Sequence, residues 1–396
     1  MNDTPQLNLS GQRFLAVYHL TGTRDEALAR AEDICLEQTV EYPEDLIPRQ
    51  DIRDQILGRV TSFEPVDDDC FEAAIEFPIE TAGEELPQLL NVLFGNISIK
   101  PGYRLMQFEL PDELLKHFRG PRFGRSGLRE LLGVHDRPLL STAIKPMGLS
   151  PAELAEYARQ FALGGIDLIK DDHGLANQSF CRYDERVRLI SEAVRQANSE
   201  TGLKCIYAPN ITAPVDQIVN RARFAREAGA GGYLISPGLV GFDTMRQIAD
   251  DDQAGLPILC HPAFMGSFTM SPTGGIGHGA LYGQICRLAG ADVVIFPNYG
   301  GRFSFSEDEC RDIIRGTECG MGNLRPIFPS PAGGMKVDRV AGLCDFYGND
   351  SVLLIGGDLH RQGPDLAENC RQFAATVREN SARPQKRRCR ACLDAP

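Results

Sequence analysis

No stretch of this sequence is apolar for long enough to cross a bilayer, and Met1 to Arg13 is polar, without the apolar centre of a signal peptide. The expected compartment is therefore the cytoplasm. An excess of positive charge is also missing. Acidic residues (54) outnumber Lys and Arg (41), and the net charge of -13 argues against nucleic acid as the main partner. Nor is there a disulfide framework: twelve cysteines sit mostly in apolar segments such as Lys204-Cys205-Ile206 and Leu259-Cys260, which predicts buried free thiols. What remains is the composition of an ordinary globular protein, 42% hydrophobic and 24% charged. Its 396 residues are enough for two domains, one of them a barrel.

In the first part of the chain, Phe14 to Thr21, Phe71 to Pro78 and Tyr103 to Leu110 read as strands. Asp25 to Leu36, behind a cap at Thr23, and Glu84 to Phe94 read as helices. The pattern predicts a small α+β, ferredoxin-like N-terminal domain over residues 1–117. The aperiodic, glycine-rich run Phe118 to Gly124 marks the boundary.

Beyond it the rhythm becomes strand then helix, eight times. Candidate strands are Leu139 to Lys145, Ile166 to Lys170, Lys204 to Ala208, Gly232 to Ser236, Pro257 to Cys260, Asp292 to Phe296, Arg325 to Phe328 and Ser351 to Ile355. Eight units predict a C-terminal (β/α)8 TIM barrel over residues 118–378, followed by a basic tail, 379–396. The rival, an open doubly wound sheet, usually carries a glycine fingerprint after its first strand, and Lys145-Pro146-Met147-Gly148 is not one. In the tail, Cys389 and Cys392 form a lone C-x-x-C, too little for a zinc site.

Barrel chemistry gathers at the carboxyl ends of the strands. There this chain offers Lys145, the tetrad Lys170-Asp171-Asp172-His173, Asn210, Ser236, His261 and Asn298, then the glycine pairs Gly333-Gly334 and Gly356-Gly357. Glycine pairs after the seventh and eighth strands let backbone N–H groups approach a phosphate. The tetrad has two readings. Lys170 could simply pair with its aspartates, or its neutral amine could take up carbon dioxide. The carbamate would then join Asp172 in presenting hard oxygen donors to Mg2+.

The run Gly120-Pro121, Gly124, Arg129, Leu132-Gly133, Arg137-Pro138-Leu139-Leu140, Thr142, Ile144-Lys145-Pro146, Gly148-Leu149-Ser150, followed by Gly164-Gly165-Ile166-Asp167-Leu168-Ile169-Lys170-Asp171-Asp172, closely resembles the large subunit of ribulose-bisphosphate carboxylase (RuBisCO). The resemblance spans both domains, and its departures point to the RuBisCO-like proteins. It implies a carbamylated Lys170, Asp172 as a Mg2+ ligand, and His173 where the family has a third, acidic ligand. A neutral imidazole there should weaken Mg2+ binding. Lys145 and His261 match catalytic positions of the family. Met147 replaces its second lysine, Pro262 a phosphate-holding arginine and Phe296 a histidine. No lysine matches the mobile sixth-loop cation, and Arg302 is the nearest substitute. Asn96 and Glu37 resemble residues that a neighbouring subunit contributes, so the resemblance also implies a homodimer or higher homo-oligomer.

These departures imply a substrate with one phosphate, at Gly333, Gly334, Gly356 and Gly357, and a less polar far end near Phe264, Met265 and Phe268. They also imply that enolisation survives without carbon dioxide fixation. The expected activity is 5-methylthioribulose-1-phosphate isomerase in sulfur salvage. The alternatives are the 2,3-diketo-5-methylthiopentyl-1-phosphate enolase, a decarboxylase of the 3-oxo-isoapionate-4-phosphate type, or a non-catalytic scaffold.

Overall fold

The computed structural model describes residues 6–381. Four antiparallel strands come first: β1 (Arg13–Thr21), β2 (Arg59–Asp67), β3 (Cys70–Pro78) and β4 (Tyr103–Glu109). They lie in the order β4-β1-β3-β2. Helices Arg24–Glu37 and Leu86–Phe94 pack Ala27, Ile34, Leu89 and Leu93 onto the alternate residues Phe14, Ala16, Ala73 and Ile75 of one sheet face. Thr23 caps the first helix in a reciprocal box with Glu26, as expected. Strand, helix, two strands, helix, strand is the ferredoxin-like arrangement. β2 is the member that sequence reading missed, because it is a largely exposed edge strand with Pro65 and two register breaks.

The second region carries β5 (Leu139–Ile144), β6 (Leu168–Asp171), β7 (Ile206–Ala208), β8 (Tyr233–Ile235), β9 (Ile258–Cys260), β10 (Gly275–Ile276), β11 (Val293–Pro297), β12 (Phe328–Ala332) and β13 (Val352–Leu354). All but β10 are barrel strands. Parallel ladders run β13-β5-β6-β7 and β8-β9-β11-β12. A bridge between Asn210 and Leu234 joins them on one side, and β12 lies beside β13 on the other. The barrel is therefore as expected, with one strand displaced. The seventh was expected at Arg325 to Phe328 but begins at Phe328, because Pro329 and Pro331 argue against a strand when the neighbours are unknown. Phe328 N–H donates to Asp292 O on the β11 side, so alternation turns both prolines toward β13, where no ladder needs their missing N–H.

Alternation also sorts the apolar residues. Leu139, Leu168, Ile206, Leu234, Leu259 and Phe328 fill the barrel interior, whereas Leu140, Ile144 and Ile169 face the surrounding helices. All ten described cysteines are free, and all but Cys70 and Cys319 are buried, as their apolar settings predict. Among the described residues no helix is long and apolar enough to span a membrane. Cys389 and Cys392 lie outside the described residues.

Two contacts fix the N-terminal sheet on the barrel. β10, in the segment after the fifth barrel strand, pairs in parallel with β4, matching Gly275 with Arg104 and Ile276 with Leu105. The Gln284 amide clasps Phe108, accepting from its N–H at 3.2 Å and donating to its carbonyl at 2.7 Å. The connecting segment is held by Asp292, whose carboxylate accepts from the N–H groups of Phe123, Gly124 and Ile258 at 2.8, 2.7 and 3.0 Å.

Replacing Asp292 with alanine would orphan three backbone donors, a loss on the order of 3–6 kcal/mol at about 1–2 kcal/mol each, readable by urea denaturation. Burial pushes the Asp292 carboxyl up to about 6 against the pull of those three amides. The folded state then holds this proton more tightly than the unfolded chain does, so the contribution is present below about pH 4. It is lost as pH rises through 6. The stability of the native protein relative to Asp292→Asn should fall across that window; an unchanging difference would refute the assignment.

Candidate active site

Leu168 faces the barrel interior, so strand alternation sends Lys170 and Asp172 inward and Asp171 outward. Asp171 is fully buried against Arg186, whose Nε and Nη2 lie 3.2 and 3.1 Å from its carboxylate. The Tyr207 hydroxyl donates to it at 2.7 Å and the Asn210 backbone N–H at 2.9 Å. The aspartate beside Lys170 in sequence is thus taken by other groups. Asn210 in turn donates its side-chain amide to the carbonyls of His173 at 3.0 Å and Leu175 at 2.9 Å, fixing the loop that leaves β6.

Lys170 is buried, and its Nζ donates to the Asp171 carbonyl at 3.1 Å. Among the described residues no carboxylate comes within ion-pair distance of it, so the simple salt bridge is not what the fold builds. Burial is the main reason its amine is pushed down to about 8, only partly offset by the charge of Asp172. An amine in that range is neutral often enough to react with carbon dioxide.

Asp172 pairs instead with Lys145, Nζ to Oδ1 at 3.2 Å, and His173 Nδ1 stands 3.6 Å from the same oxygen. Burial alone would raise the Asp172 pKa. The adjacent His173, Lys145 and Lys170 outweigh it and hold the carboxyl well below the usual range. The His173 ring stacks on His261, centroids 4.4 Å apart and planes 13° from parallel. His261 Nδ1 accepts from the Ala263 N–H at 3.1 Å, which leaves its own proton on Nε2. Burial, followed by the Lys170 charge, pushes His261 down to about 2, so the ring is a neutral donor.

The glycine pairs lie on the same rim. Gly333 and Gly334 have φ of +84° and +95°, open only to residues without a Cβ. Gly356 sits beside Lys145, whose Cε lies 3.7 Å from where a Cβ on that glycine would stand. Asp358 joins the two loops by accepting from the Val337 N–H at 2.8 Å. Among the described residues, the N–H groups of Gly333, Gly334, Gly356 and Gly357 have no protein acceptor. The sixth loop is docked here as well: Arg302 N–H donates to Gly333 O at 3.0 Å, and the Arg302 guanidinium lies 5.0 Å from the centre of the Phe303 ring.

The structure therefore brings Lys145, Lys170, Asp172, His173 and His261 together, with the glycine pairs alongside. It does not bring Asn96. The Asn96 amide donates to Glu37 at 3.0 Å, Glu37 pairs with Lys100 at 2.8 Å, and neither bonds to the strand-end cluster of its own chain. Two residues escaped sequence reading: Ser141 and Ser330, on the inward registers of β5 and β12, carry buried hydroxyls that find no partner among the described residues. Period-two counting from Leu139 and Phe328 would have found both.

Residues 124–363 match the family described as ribulose bisphosphate carboxylase large chain, catalytic domain. The chain belongs to the RuBisCO large-chain family. Within it, the similarity runs to RuBisCO-like proteins. The 5-methylthioribulose-1-phosphate isomerase of Rhodospirillum rubrum is 38% identical over 92% of this chain and 96% of its own. A 2,3-diketo-5-methylthiopentyl-1-phosphate enolase of Geobacillus thermodenitrificans is 34% identical over 76% and 74%. The crystal structure of a RuBisCO-like protein from Rhodopseudomonas palustris superposes with a TM-score of 0.85 at 39% identity, covering 94% of this chain and 99% of that one.

Arg186→Met would leave Asp171 buried without its cation and should cost on the order of 3–5 kcal/mol in urea denaturation. Adding Asp171→Asn should recover part of the loss. A single-variant cost under about 1 kcal/mol would show that the pair does not hold the strand end.

Proposed function

We propose that this RuBisCO-like protein is an enolising isomerase of a phosphorylated methylthio-sugar, with 5-methylthioribulose 1-phosphate as the substrate the site favours. The carrying observation is that, among the described residues, Lys170 is buried without a carboxylate at ion-pair distance and lies under a rim that combines Lys145, Asp172, His173 and His261 with four glycine N–H groups that have no protein acceptor.

The donor set fits a divalent cation. Asp172 and His173 present an oxygen and a nitrogen 3.6 Å apart, and a carbamate on Lys170 would add a third donor. These three residues would hold Mg2+, which when bound supplies Lewis-acid polarisation of the substrate carbonyl. The chain's own groups do the rest. The glycine N–H groups hold the phosphate, and Lys170 as its carbamate takes the proton from the carbon beside the carbonyl. Lys145 Nζ and the His261 Nε2–H donate to the oxygen on which charge develops. The proton returns to the neighbouring carbon, so no atom is gained or lost.

The far end of the substrate meets exposed apolar groups, Met147, Phe264 and Phe268. Phe264 holds φ +69°, a costly conformation for an aromatic residue and one that collects at functional sites. A single cationic side chain on the sixth loop, Arg302, and the absence of a lysine there argue against carboxylation. The enolase is the second reading, favoured by the 34% identical relative. It is the weaker one, because Phe94-Gly95-Asn96 offers an asparagine where that branch places a lysine base. The protein would act in the cytoplasm as a homodimer or larger homo-oligomer, with Asn96 reaching the active site of a partner.

In deuterium oxide with Mg2+ and bicarbonate, proton NMR should show deuterium entering the sugar carbons of 5-methylthioribulose 1-phosphate as an isomer forms. Lys170→Ala should abolish exchange, and retained turnover would move the chemistry elsewhere. Ribulose bisphosphate should take up no carbon dioxide above background. Phe264→Gly should raise Tm by relieving the backbone yet raise KM for the methylthio-sugar roughly tenfold. A gain in Tm with KM unchanged would make Phe264 a purely structural residue.

A further inference from the structure

We propose that His173 makes this site selective for a nitrogen-accepting divalent ion of the first transition row, such as Co2+ or Zn2+, over Mg2+. The inference rests on the metal-dependent enolising reading above, and it concerns which ion the site takes.

The first observation is the donor inventory. Among the described residues no three His, Cys, Asp or Glu side chains converge on one point. The site therefore depends on Asp172, His173 and the modified Lys170, and one of those three donors is a nitrogen. Imidazole suits borderline ions, whereas Mg2+ demands oxygen and gives up its waters reluctantly.

The second is placement. Two donors on one ion, each at about 2.0–2.1 Å, stand roughly 3.0–3.4 Å apart. His173 Nδ1 and Asp172 Oδ1 are 3.6 Å apart, so a few tenths of an ångström bring them into range. The imidazole is held for that approach from two sides. His261 lies flat against its ring at 4.4 Å, and Asn210 anchors its backbone carbonyl at 3.0 Å. Asn210 is itself tied to the buried Asp171.

The third is competition. Lys145 Nζ already stands 3.2 Å from Asp172 Oδ1. An ion attracted by charge alone gains less from a carboxylate that a lysine partly neutralises, and it is repelled by that lysine. An ion that also binds the uncharged nitrogen keeps an advantage that Lys145 cannot screen. The nitrogen donor and the partial neutralisation of Asp172 by Lys145 thus both favour the softer ion.

The test is Co2+ and Mg2+ binding, each measured by isothermal titration calorimetry on the full chain in bicarbonate, for the native protein and His173→Glu. His173 is half exposed, so the variant should fold, and its Tm should match the native value. The native protein should bind Co2+ at least 100-fold more tightly than Mg2+, and His173→Glu should narrow that ratio at least tenfold. In the Co2+-loaded native protein, proton NMR should show a paramagnetically shifted, exchangeable imidazole N–H that His173→Glu lacks. A ratio unchanged by the substitution, or the shifted resonance persisting in the variant, would overturn the proposal and leave the metal-dependent reading standing. Binding of neither ion, with or without bicarbonate, would bring down both.

Discussion

The buried pair of Asp171 and Arg186 is the constraint on which the site depends. A carboxylate and a guanidinium, both without solvent, are tolerable only because every lone pair that matters is met: by two guanidinium nitrogens, the Tyr207 hydroxyl and the Asn210 amide. Asp171 is thereby committed to the outer face of β6. With a period of two, its neighbours Lys170 and Asp172 have no choice but the inner face. The same Asn210 that satisfies Asp171 reaches over to the carbonyls of the His173 loop, so one polar network sets the strand register and the ligand loop together.

That division of labour recurs around the barrel. Below the rim the interior is apolar, with Leu139, Leu168, Leu234, Leu259 and Phe328. Directly above stand Lys170, Asp172 and His261. A low-dielectric floor under charged groups makes each interaction at the rim count for more than it would at an open surface. It also explains why Lys170 and His261 both disfavour their protonated forms, burial being the first cause for each. Lys170 and His261, both shifted toward their neutral forms, stand beside one carboxylate, Asp172, that is paired with Lys145.

Much of this was legible in the sequence because the local signals and the fold agree. The run Gly164 to Gly174 is a short apolar strand ending in charge, and eight strand–helix repeats admit few architectures. Lys145, Lys170, Asp172 and His261 could be grouped from the sequence because strand ends in a barrel converge, and they lie together in the structure. What was hidden depended on neighbours distant in sequence. The strand at Phe328–Ala332 contains two prolines whose acceptability follows only from an unladdered side facing β13. The edge strand Arg59–Asp67 is too exposed to show an apolar alternation. Asp171 and Asp172 look equivalent in a one-dimensional list, and only the face each occupies separates the structural carboxylate from the one at the rim. Asn96 was carried by resemblance, and in its own chain it lies among Glu37 and Lys100.

The pairing of β10 with β4 has a consequence for how the chain is made. β4 is the edge of the N-terminal sheet, and the two-residue strand that covers it arrives from Gly275 and Ile276, far downstream of Arg104 and Leu105. On a ribosome adding about 5–20 residues per second, the newborn N-terminal sheet waits roughly 10–30 s with that edge bare. During this interval its unpaired amides and carbonyls are open to any other extended segment, including the same segment of a neighbouring nascent chain. The hazard ends only when most of the barrel has emerged, so the half-made protein is the form most in need of a chaperone.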